Sequence, residues 1–144
     1  MGSSYLFSHD GLHDSLTHLY APSFIYDLLE RRLKIAARNK SSIALIKVVT
    51  DQSLSESDII ECAERLSSQI RPDDAIGRMG YFEFLIVLST TTPASSFHVA
   101  LSTIAQRYRQ SSEIQVAFSM IESQPHEPLR EIFNRLDEAV PLHT

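Results

Sequence analysis

Two short apolar runs meeting at a tight turn most constrain what this chain can fold into. Ala75 to Met79 and Phe82 to Leu88 read as strands joined around Gly80-Tyr81, a connection too short for anything but an antiparallel hairpin. On either side the apolar period lengthens to that of helices. Phe24, Ile25, Leu28, Leu29, Leu33 and Ala36 share one face, with Pro22 just inside the start and Asn39 near the stop. The β-branched run Ile43 to Val49 reads as a buried strand. Ser55 to Asp58 offers capping oxygens before the stripe Ile59, Cys62, Ala63, Leu66 and Ile70. Thr92 and Pro93 suit a cap and first helical position ahead of Phe97, Leu101, Ile104, Ala105 and Tyr108. Ile114 to Ile121 reads as a strand, and Leu129, Ile132, Phe133, Leu136 and Val140 as a last helix. Helix, strand, helix, hairpin, helix, strand, helix predicts an α/β (α+β) fold. Its central sheet is expected to be mixed, with an antiparallel hairpin, and covered by helices.

At 144 residues and 43% apolar content the chain suits one core. Residues 1–13 are polar and aperiodic and read as a flexible leader before a single domain at 14–144, without repeat or linker. A net charge of −5 gives no electrostatic reason to expect nucleic acid or an anionic membrane as partner. No apolar stretch approaches the ~20 residues of a membrane span, and no signal peptide is evident. A lone cysteine, Cys62, excludes an internal disulfide and suits a cytoplasmic protein. His9, His13 and His18 lie close in sequence, but no Cys or acidic cluster joins them at ligand spacing. No metal or cofactor is expected.

Three motifs occur in order along this framework. Asp14-Ser-Leu-Thr-His-Leu19 resembles D-x-L-T-x-L, Arg78-Met-Gly-Tyr-Phe-Glu-Phe84 resembles R-x-G-G-D-E-F, and Leu136-Asp-Glu-Ala-Val140 resembles A-D-x-A-L. All three belong to the GGDEF family, the diguanylate cyclases that condense two GTP molecules into cyclic di-GMP. The resemblance runs from about residue 14 to residue 140 and implies a nucleotide-cyclase-like, palm-like fold.

The resemblance also implies which residues stand where the family does its chemistry. Two divalent metals there polarise a triphosphate and activate a ribose hydroxyl, which requires clustered carboxylates. Lys47 and Val49 stand at the two aspartate positions of the first strand. At the turn Gly80 is kept, Tyr81 replaces the second glycine, Phe82 replaces the aspartate, and Glu83 alone keeps its carboxylate. The guanine-reading stretch is shortened to Thr50–Ser57, without Asn or Gly. This pattern implies a catalytically inactive domain. Glu83 reads as a leftover ligand or a solvated strand carboxylate, and Lys47 as a group either at a strand end or leaning into the vacated site, where it would pair with Glu83. Phe82 and Phe84, two apart, are expected on one buried face.

Ahead of the hairpin stands Arg71-Pro-Asp-Asp74, matching the R-x-x-D of the family's inhibitory site, where cyclic di-GMP docks as an intercalated pair. An arginine fork meets phosphate or a guanine edge, and a carboxylate accepts guanine N–H donors. Arg107, with Arg109 as substitute, stands where the family adds a second arginine. A structural reading remains open: Asp74 as a strand cap, and Arg71 placed by the preceding helix dipole. The functions in play are a non-catalytic cyclic di-GMP receptor or protein-interaction module, a ligand-free scaffold or homodimerisation domain, and a residual cyclase.

Overall fold

The structure is a computed structural model and describes residues 9–143. Helix α1 (Pro22–Arg38) starts at its proline and buries Ile25, Leu29 and Ala36. Strand β1 (Ala44–Thr50) follows. Helix α2 (Glu56–Ser67) opens with a reciprocal box: Ser55 accepts from the Asp58 amide, and the Asp58 carboxylate accepts from the Ser55 amide. The hairpin is β2 (Ala75–Gly80) and β3 (Glu83–Val87). Helix α3 (Phe97–Ser111), strand β4 (Val116–Glu122), helix α4 (Leu129–Glu138) and a two-residue strand β5 (Leu142–His143) complete the chain.

The strands lie in the order β2-β3-β1-β4-β5. The crossover β1–α2–β2 joins strands that run the same way, and so does β3–α3–β4. Each pair is split by a strand of the other unit, so every ladder between neighbours is antiparallel. The expected α/β class and hairpin are present. Among the described residues parallel pairing enters only at the isolated Tyr20–Gly77 bridge, because β3 is inserted between β1 and β2.

Helices cover both faces of the sheet, which is why β1 is apolar nearly throughout. Ala44, Ile46 and Val48 face α2 and α3, together with Phe84, Ile86 and Phe118. Leu45 faces α1 and α4, with Leu85, Val87, Ile132 and Leu136. Three local expectations are corrected. Helix α2 ends at Ser67 rather than continuing to Ile70, its last carbonyls closed by the Ser68 and Gln69 amides. Pro93 precedes a 3₁₀ turn (Ala94–Ser96) instead of opening α3. The leader expected at 1–13 lies partly outside the described residues, and its described part is tied down. Asp10 Oδ1 accepts from the Leu12 and His13 amides at 2.9 and 2.7 Å, and Leu12 O accepts from Ala21 N at 2.8 Å.

One ion pair fixes α4 to its approach loop. Arg135 donates through Nε and Nη2 to both oxygens of Glu127 at 2.6 and 2.7 Å, and through Nη2 to Glu122 O at 2.7 Å. The Arg135 hydrogen bonds hold the Glu127 carboxyl below its ordinary value. A carboxyl whose pKa falls on folding adds stability above its unfolded pKa, and that stability is lost as pH falls through the folded value. Glu127→Gln is therefore expected to cost about 1.5 kcal/mol at pH 7 and to narrow towards zero below about pH 4. Urea melts at a series of pH values read this directly.

Candidate functional site

The hairpin end is held by a buried ion pair from the first motif. Arg78, in the middle of β2 and 1% exposed, donates through Nη1 to both Asp14 oxygens at 3.1 Å. Asp14 Oδ2 also accepts from the Thr17 amide at 2.8 Å and the Thr17 hydroxyl at 2.7 Å. Arg78 Nη2 reaches the Tyr81 carbonyl at 3.0 Å, and the guanidinium lies 4.8 Å from the Tyr81 ring centre. The next carbonyl, of Phe82, accepts from the Thr50 amide at 2.9 Å. The turn is thereby fixed to both the 14–17 segment and β1. Sequence reasoning quoted these motif residues but gave them no partner. The available signal was an arginine inside an apolar strand, which must find a carboxylate if buried.

Tyr81 and Phe82 meet edge to face, 4.6 Å between centroids. Phe84 is fully buried and Phe82 packs partly buried against the same core, as their spacing predicts. The opposite face carries Lys47, Val49 and Glu83. Lys47 does not pair with Glu83 as expected: its Nζ donates to Asp137 Oδ1 at 3.0 Å. Register explains the difference. Lys47 stands opposite Leu85, Glu83 stands opposite the exposed Val49, and α4 brings Asp137 over the strand. Glu83 is half-buried rather than solvated. Burial pushes its carboxyl up, Asp137 adds to the rise and Lys47 opposes it. Among the described residues no group of three His, Cys, Asp or Glu side chains is placed to hold a metal ion.

Gly80 sits at an irregularity in the β2–β3 ladder. A Cβ there would meet only the Glu83 Cβ, at 3.8 Å. The site thus retains its glycine without a steric demand for it.

On the helical side, Arg71, Asp74 and Arg107 line one groove of about 360 Å³ between the end of α2, the loop after β3 and α3. Arg71 and Arg107 are exposed. Asp74 is half-buried and already engaged, accepting from the Arg71 amide at 2.9 Å and the Ser89 amide at 2.7 Å. Threonine and serine hydroxyls (Thr91, Thr92, Ser96, Thr103) and the apolar Ile70, Leu88 and Val99 complete the walls. Arg109 does not line this groove.

No family profile matches the chain. It is 30% identical over 76% of its length to the bifunctional diguanylate cyclase/cyclic di-GMP phosphodiesterase MucR of Pseudomonas aeruginosa, covering 18% of that protein. To the diguanylate cyclase TpbB of the same species it is 27% identical over 68% of its length, covering 25% of TpbB. The chain thus spans a quarter or less of these curated relatives. Among solved structures, the diguanylate cyclase SiaD of P. aeruginosa, in complex with its activator SiaC, superposes with a TM-score of 0.77. Identity is 21%, over 88% of this chain and 55% of that one. The GGDEF domain of DgcB from Caulobacter crescentus, in complex with c-di-GMP, gives 0.75 at 20% identity, over 92% and 90%. No helix among the described residues is long and apolar enough to cross a membrane. Motifs, relatives and strand order converge, and the chain is a GGDEF-like domain with the fold of the diguanylate cyclases' GGDEF module.

Proposed function

We propose that this domain is a non-catalytic cyclic di-GMP receptor that binds through Arg71, Asp74 and Arg107 and passes the signal to a protein partner. The observation that carries the reading is the convergence of these three residues, from two separate parts of the chain, on one groove. The two guanidinium groups are exposed and suit phosphate or a guanine edge, and Asp74 keeps lone pairs beyond the two its amide donors use.

Loss of catalysis is supported by the donor set at the turn. Two hard cations need several carboxylate oxygens, and the position facing them carries the Lys47 ammonium, already paired with Asp137. Glu83 stands opposite the exposed Val49, and no further acidic side chain joins Glu83 and Asp137 in a metal-holding group among the described residues. The residues present do not fit a pair of divalent ions. One observation favours a ligand-free scaffold instead: Asp74 is fully accounted for as a cap on the 71–74 turn and a tether to Ser89.

Calorimetric titration separates these readings. The receptor reading expects cyclic di-GMP to bind with a Kd near micromolar, about −8 kcal/mol. Arg71→Ala is expected to weaken it at least tenfold, about 1.4 kcal/mol. No heat and no thermal shift at saturating ligand favours the scaffold. Any cyclic dinucleotide formed from GTP with Mg²⁺ or Mn²⁺ defeats the non-catalytic reading.

A further inference from the structure

A second groove, of about 380 Å³, adjoins the first, with Asp74 and Thr91 lining both. Phe24, Arg32, Asp73 and Thr90 furnish its chemistry. Phe24 is backed by Tyr20 in a stack 4.2 Å between centroids and 25° between planes, and His13 extends the stack at 5.6 Å. The ring is therefore a rigid platform. Arg32 is clamped across the top of the sheet, donating to the carbonyls of Val87, Leu88 and Asp73 at 3.4, 3.3 and 2.9 Å. Its Nε–H makes none of these bonds. Asp73 differs from its neighbour: its exposed carboxylate accepts no hydrogen bond and enters no ion pair among the described residues.

An aromatic platform beside an uncommitted carboxylate and a fixed guanidinium matches a base whose edge offers adjacent N–H donors. Guanine does so through N1–H and its exocyclic amine, while adenine presents an acceptor at N1. Stacking supplies affinity and the carboxylate supplies the choice of base. We infer that this groove takes the second guanine of the cyclic dinucleotide proposed for the first, so that a single molecule straddles the Asp74–Thr91 ridge. The inference rests on the proposed receptor function and sets its stoichiometry at one ligand per domain, instead of an intercalated pair.

Titration of the 144-residue chain with cyclic di-GMP and cyclic di-AMP tests it. The expected result is one cyclic di-GMP per chain, with Asp73→Asn and Phe24→Ala each weakening binding about tenfold. Cyclic di-AMP is expected to bind at least tenfold more weakly than cyclic di-GMP. Asp73→Asn removes an exposed carboxylate that makes no hydrogen bond or ion pair among the described residues and attracts Arg32 only at longer range, so its unliganded melting temperature should stay close to the parent's even if Phe24→Ala melts early. Binding of two ligands overturns the inference. So does a loss confined to Arg71→Ala with Asp73→Asn unchanged, and both outcomes leave the receptor reading intact. Absence of any binding by the parent chain removes both.

Discussion

Asp14→Ala is expected to destabilise the domain by about 3–5 kcal/mol, a large fraction of the stability of a domain this size. The loss does not measure the strength of the Asp14–Arg78 attraction. Both side chains are almost wholly buried, so removing the carboxylate leaves a guanidinium in the core without its counter-charge. The Thr17 amide and hydroxyl lose their acceptor at the same time. Replacing both partners, as Asp14→Leu with Arg78→Met, should recover much of the stability, because the desolvation penalty disappears with the charges. Chemical denaturation of the two single variants and the double variant checks this. If Asp14→Ala costs under about 1 kcal/mol, the pair is not the fastening that its burial indicates.

Gly77→Ala is expected to cost about 2–3 kcal/mol, whereas Gly80→Ala should change stability by no more than about 1 kcal/mol. A Cβ at Gly77 would run into Cγ1 and Cδ1 of the fully buried Ile25 and come within 3.1 Å of the Tyr20 carbonyl. That carbonyl is not free to move, because it accepts from the Arg78 amide at 2.9 Å. The added methyl must therefore lift α1 off β2 or break the Tyr20–Gly77 bridge. At Gly80 the nearest atom is at an ordinary contact distance. The glycine outside the turn is thus the sterically required one. Thermal melts of the two variants side by side decide the comparison, and equal melting temperatures would contradict it.

The elements most legible in the sequence were those governed by local rules. Pro22 at the start of α1, Ser55 at the cap of α2 and the alternation through Phe82 and Phe84 act within a few residues, and each is realised in the fold. Long-range geometry was less legible. Nothing within β1 says that α4 will deliver Asp137 to Lys47, so the nearest acidic residue on a neighbouring strand, Glu83, was the natural but wrong partner. The Asp14–Arg78 pair likewise joins segments that no periodicity relates. The insertion of β3 beside β1 follows from topology, which turned an expected mixture of strand directions into antiparallel ladders. Arg71 and Asp74 are linked by one turn and could be named together. Arg107 reaches the same groove only through the placement of α3.

The position of β1 in the centre of the sheet has a kinetic consequence. Its ladder partners, β3 and β4, lie roughly 30 to 80 residues further along the chain, so its hydrogen bonds form only after large loops have closed. The β2–β3 hairpin can zip early on its own, but it gains a second neighbour only when β1 docks. Assembly of this domain should accordingly be slow beside that of a helical bundle of equal length. A nascent chain released before β4 emerges would expose one flank of its most apolar strand to other chains.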